Sequence, residues 1–91
     1  MSDGALLDLD CGISCTRITA WLDAEPAFAR HQDAWVFGKG EDVCRIEATP
    51  LASREVGPVT LERTHLVARG SEAAVAAFRR TFTLRFLSAG G

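Results

Sequence analysis

Three kinds of side chain in this 91-residue chain could do chemistry: thiols, imidazoles and guanidiniums. Cys11-Gly12-Ile13-Ser14-Cys15 sets two thiols four positions apart, a spacing that can bring both sulfurs to one side of a helical turn or into one loop. There they could form a disulfide or share a metal. A structural zinc centre needs four ligands, and the other candidates (His31, Cys44 and His65) show no recognised ligand spacing. A cluster-binding CxxxCxxC motif would need a cysteine where Ile18 stands. The expected state is therefore small buried thiols beside Gly12, with Cys11 and Cys15 as the one redox alternative and neither metal nor cofactor bound.

Catalysis by cysteine and histidine requires a thiolate lowered by a neighbouring base and held by a third group. His65 and Cys44 meet only if their strands pair with both residues on one face, and His31 reads as a residue at a helix C-terminus. No Ser-His-Asp ordering, P-loop or dinucleotide fingerprint occurs, and Gly38-Lys39-Gly40 is too short to cradle a phosphate. The chain thus reads as a binding protein more than an enzyme. Arg63, Arg69, Arg79, Arg80 and Arg85 form its basic set. If their strands share a sheet, Arg63 and Arg85 converge on an anionic group with His65 beside them, and bidentate guanidiniums suit a carboxylate or phosphate. Recognition of RNA on an open sheet needs exposed aromatics on the same face. Phe82 and Phe86 alternate oppositely to Arg85 and read as core, which disfavours nucleic acid.

The last residues, Leu87-Ser88-Ala89-Gly90-Gly91, resemble the tails of ubiquitin-like sulfur carriers. That resemblance, confined to these few positions, implies a terminal carboxylate that is adenylated and converted to a thiocarboxylate. The element order departs from that family, whose fold needs further strand pairing after its helix, where only one strand is expected here.

Composition bounds the rest. A hydrophobic fraction of 47% with 24% charged residues is that of a globular domain, long enough for one core without staples. No apolar run approaches the roughly 18 residues that span a bilayer, and the acidic MSDG start does not resemble a secretory leader. Three cysteines cannot all pair within one chain, which points to reduced thiols and a cytoplasmic location. The net charge of −2 hides an asymmetry: Met1 to Asp33 holds six acidic and two basic residues, whereas Arg63 onward holds five arginines and one glutamate. Either two solvated surfaces balance each other or the C-terminal half forms an anion- or partner-binding face.

The elements that must position these groups follow from patterning. Val59, Leu61, Leu66 and Val67 lie between Gly57-Pro58 and Gly70-Ser71 and predict a strand. Ser71 then stands as an N-cap, Glu72 at the positive helix end, Ala73 to Ala77 as mostly strong helix formers, and Arg79 and Arg80 at the negative end. Phe82, Leu84 and Phe86 alternate with Thr81, Thr83 and Arg85, the period of a half-buried strand. Upstream, Ala5, Leu7 and Leu9 alternate as a short strand, and Gly12 breaks it. Ser14 then caps a helix expected to run to His31 with an interruption near Glu25-Pro26. Trp35 to Phe37 and Val43 to Ala48 flank a glycine-containing loop as a hairpin, and Pro50 to Pro58 reads as a connector packed down by Leu51 and Val56.

Assembled, these elements predict a single α+β domain. It has an antiparallel sheet of four to five strands with two helices on one face, in the ferredoxin-like arrangement of two split βαβ units. One strand breaks the two-face rule: from Val59 to Ala68 neither alternate set is cleanly apolar, which implies a bulge or a second covered face. Cover by another copy would make the chain a homodimer. The functional expectation is a small non-enzymatic module that binds a protein partner or small anionic ligand through Arg63, His65 and Arg85. A sulfur carrier or thiol-dependent enzyme is the alternative, and an RNA-binding domain the third reading.

Overall fold

Apolar residues at every second position make the strands of this chain one-sided, and the helices lie on the side they share. In the computed structural model, which describes residues 4–87, β1 (Gly4–Cys11) turns Leu7, Leu9 and Cys11 into the core and is followed by helix α1 (Cys15–Ala24). Then come β2 (Phe28–His31), β3 (Ala34–Lys39), β4 (Asp42–Val56), β5 (Val59–Ser71) and helix α2 (Glu72–Phe82), whose end runs into a π-helical turn, Thr83–Leu87. The five strands form one sheet in the order β1-β5-β4-β3-β2, and every neighbouring pair is antiparallel. Both helices cover the same face. Their Ile18, Leu22, Phe78 and Phe82 are fully buried against Ile46, Leu66 and Ala68 of the central strands.

Both helices start where their capping residues require. The Ser14 hydroxyl accepts from the Arg17 amide at 3.2 Å, and the Ser71 hydroxyl accepts from the Ala74 amide at 3.1 Å. Trp21 is the centre of an aromatic cluster, 4.9 Å from Phe28 and 5.3 Å from Phe86 between ring centroids, both edge-on.

Four expectations are corrected. First, α1 stops at Ala24. A residue before proline is pushed out of the α region, and Glu25 is extended at φ −88° and ψ 125°. Phe28–His31 is therefore a strand paired with β3, and His31 ends that strand, exposed, rather than ending a helix. Second, Pro50 to Val56 is no connector but the continuation of β4. Pro50 fits because the β3 ladder ends at the Trp35–Ile46 pair, so β4 is an edge there and needs no donor on that side. Third, Phe82 to Phe86 is helical. Phe78, Phe82 and Phe86 are four apart as well as two-periodic at their end, and the helical spacing wins because it puts all three on Trp21. Leu84, which alternation would bury, is 66% exposed. Fourth, a split βαβ unit leaves one strand between the two that flank its helix. Here three strands separate β1 from β2, and the described residues hold no strand after α2, so the α+β class stands without the ferredoxin-like order.

The molecule measures 49 × 27 × 24 Å. Its long dimension matches β5, whose 13 residues span about 43 Å at roughly 3.3 Å each.

Candidate functional site

The helix-free face of the sheet carries most of the polar chemistry. On β5, Thr64, Leu66 and Ala68 point to the helices, so Arg63, His65, Val67 and Arg69 point away. On β1 the same parity puts Leu6, Asp8 and Asp10 on the open face. The register sets Asp10 opposite His65 and Asp8 opposite Val67, so the side-chain contacts form on the diagonals. His65 Nε2 lies 2.7 Å from Asp8 Oδ1, and Arg63 Nη2 donates to Asp10 Oδ2. Arg63 Nη1 also reaches the Ala52 carbonyl at 3.5 Å. On β4, Arg45 Nε donates to Glu47 Oε2 at 3.1 Å. These pairs are solvent-accessible and each contributes at most about 1 kcal/mol. Val67 is covered between its register partners Asp8 and Glu47, so this face has an apolar centre under a lattice of charges.

Beyond that lattice the β4–β5 ladder leaves the body as an arm. A shift between Leu51 and Arg54 gives β4 one extra residue, a bulge that lies on the strand opposite the two-faced one and leaves the alternation of β5 unbroken. The ladder resumes as Arg54–Leu61, Glu55–Thr60 and Val56–Val59. The two-residue loop Gly57-Pro58 closes it, with Gly57 at φ 61°, where a side chain would be strained. Every residue from Ala52 to Glu62 is exposed. Opposed residues share a face, so Arg54, Val56, Val59 and Leu61 form one side of the arm, while Glu55, Thr60 and Glu62 form the other. Val56, Val59 and Leu61 are 52%, 54% and 45% exposed. At the base, Asp10, Gly12, Arg54, Leu61 and Arg63 line an open cleft of about 570 Å³. Arg63 is shared with Asp10 there, and Arg54 has no ion pair among the described residues.

Arg63 and His65 are thus brought together and Arg85 is not. The π-helical turn places Arg85 on the helix layer, its guanidinium carbon 5.1 Å from the centroid of Phe86. Cys11 is buried at the end of β1 and Cys15 opens α1; both are free, as is Cys44. Burial pushes all three thiols up, reinforced at Cys11 by the Asp10 carboxylate, and Cys44 is pushed up to about 11. A nucleophilic thiolate needs the opposite shift. Cys44 pairs with Gly70 on the helix face, whereas His65 pairs with Thr49 on the open one, so no thiol–imidazole pair forms between them. Among the described residues no three His, Cys, Asp or Glu side chains come together as metal ligands. The Gly90-Gly91 tail lies outside the described residues.

Two further features differ in how far the sequence signals them. The arm had a signal in Gly57-Pro58, a two-residue hairpin loop between valines. Asp23 had none: its carboxylate accepts from Trp35 Nε1 and Arg30 Nη1, both at 2.9 Å, while the Arg30 guanidinium stacks 4.6 Å above Trp35. The Trp35 hydrogen bond, then Arg30, holds that carboxyl below its ordinary value. It ties α1 to the β2–β3 hairpin. No protein-family model matches the chain, and no match was found among curated proteins or solved structures.

Proposed function

We propose that this chain is a non-enzymatic interaction module whose hairpin arm and adjoining sheet face receive a protein partner. The observation that carries this reading is the arm. A two-stranded ribbon is at best marginally stable in water, yet this one displays Val56, Val59 and Leu61 on one side with none of the described residues packed over them. Apolar side chains gathered on a projecting element mark an interaction site. Arg54 and Arg63 flank them, so the partner surface that fits is apolar with a carboxylate entering the cleft beside Asp10. The acidic back of the arm, Glu55 and Glu62, sets the orientation by repulsion.

Thiol chemistry draws no support from thiols that burial keeps protonated. The unpaired Cys11, Cys15 and Cys44 accord with a reducing, cytoplasmic setting. Single-stranded nucleic acid would want a stacking platform on the open face. All seven aromatics, two Trp and five Phe, are in the helix-side cluster instead.

The test compares the two sides of the arm. A photo-crosslinking amino acid at Val59, introduced in the native cell, is expected to give a discrete protein adduct that Arg54→Glu abolishes. The same probe at Thr60, on the opposite side, is expected to give none. Equal adducts from both positions would make the arm a sticky ribbon and end this reading.

A further inference from the structure

A second surface, remote from the arm's apolar side, is the free edge of the sheet. Among the described residues, β1 has a strand neighbour on one side only. Natural edges are blunted by charge, proline or a bulge. The Gly4-Ala5-Leu6-Leu7 stretch has none of these, and it runs in unbroken register with β5. Helix α2 lies above this edge, and between them is a largely apolar groove of about 410 Å³ lined by Ala5, Leu6 and Leu7 from the strand and Val75, Ala76 and Leu84 from the helix. Leu6 and Leu84 are 59% and 66% exposed.

Charge on the groove names its occupant. Glu72 also lines it, and so do Arg79 and Arg80. Glu72 follows Ser71, which pairs with Gly4, so the acid marks the Gly4 end. The arginines lie seven and eight residues on, about 10–12 Å along the helix. A sequence of acid, apolar centre and base is complementary to itself when reversed, and a two-fold axis performs that reversal. We infer that β1 pairs antiparallel with β1 of a second copy of this chain, which makes one continuous ten-stranded sheet with the two α2 helices side by side.

The register follows from side-chain parity and charge. Opposed residues must share a face, so the axis passes through a residue position. An axis at Asp8 would oppose two carboxylates. An axis at Leu6 opposes two leucines, sets Ala5 against Leu7 and Gly4 against Asp8, and leaves Asp10 outside the pairing. Glu72 of each copy then meets Arg79 and Arg80 of the other. Because the axis is perpendicular to the sheet, the two arms leave opposite ends of the dimer while both helix-free faces point the same way, so a surface that meets both arms gains by avidity. The inference does not depend on what the arms bind.

Sedimentation velocity across micromolar concentrations is expected to show twice the 9.8 kDa chain mass. Glu72→Arg alone, and Arg79→Glu with Arg80→Glu alone, each oppose like charges across the axis and weaken self-association roughly tenfold or more. An equimolar mixture of the two variants restores the dimer, because both contacts in the mixed pair are again opposite in sign. Circular dichroism reports whether each variant is folded. Leu6→Cys chains oxidise to a dimer linked at position 6, since opposed strand positions lie within disulfide reach, and Asp10→Cys chains do not. A chain that stays monomeric throughout, a mixture that fails to restore association, or a position-10 link that forms as readily as a position-6 link overturns the inference.

Discussion

The β4–β5 ladder is one pair of strands with two physical halves. In the upper half, Thr64, Leu66 and Ala68 are fully buried; β1 flanks β5 down to the Cys11–Thr64 pair, and both helices lie above. In the lower half, Thr60 and Glu62 continue that helix-side face and are exposed, and so are Val59, Leu61 and Val56 on the other. Alternation specifies which side chains share a face. Whether anything covers that face depends on elements elsewhere in the chain, and here the cover ends where β1 ends.

The largest expected effect falls on the upper half. Phe78 is fully buried on α2, with ring centroids 5.9 Å from Phe28, 6.3 Å from Trp21 and 6.1 Å from Phe82. Phe78→Ala removes a ring that touches α1, β2 and α2 at once. It should lower unfolding stability by about 3–5 kcal/mol, measured by urea titration. That is a large part of the roughly 5–15 kcal/mol that holds a domain of this size. A loss under about 1 kcal/mol would mean that the helix-covered face is not the core.

An intermediate effect marks the boundary. Thr64 is the last buried residue of β5 before the arm, and its Oγ1 donates at 2.6 Å to the Ile13 carbonyl in the loop between β1 and α1. Thr64→Val keeps the shape and strands that carbonyl, at a cost of about 1–3 kcal/mol. Thr60→Val, four residues away on the arm, should change stability by no more than about 0.5 kcal/mol. Equal losses at the two positions would erase the boundary.

What the sequence revealed follows the same division between local and distant causes. The caps at Ser14 and Ser71, the β3–β4 hairpin and the first strand are local patterns, legible because the residues that form them are neighbours. The end of α1 was half legible: Pro26 announced a break, but only pairing with β3 makes Phe28–His31 a strand. The loop that joins them, Gln32-Asp33, lacks the usual glycine and takes Gln32 to φ 62°. Phe78, Phe82 and Phe86 satisfy a helical period and, from Phe82 on, a strand period. The choice between them lies with Trp21, about sixty residues away, and nothing local encodes it. Arg63 and His65 were found because a mixed strand is anomalous on its face. Arg85 has the local pattern of a strand residue, but the helical turn that carries it puts it elsewhere.

The smallest effect is the most direct measure of the difference between the halves. Opening free energies in a native protein run from near zero at unsupported segments to the global value in the core. Amides of Glu55, Thr60 and Leu61 should therefore exchange with solvent within seconds to minutes, while those of Leu66 and Ala68 exchange only by global unfolding. Val56→Thr with Val59→Thr keeps β-branched side chains and removes apolar surface from the arm. It should leave the Leu66 and Ala68 rates unchanged, because no core residue lies against those valines. Slow exchange at Thr60 in the isolated chain would show the arm to be stable unaided. Its exposed valines would then need no partner to account for them, and the contrast between the halves would reduce to one of solvent contact alone.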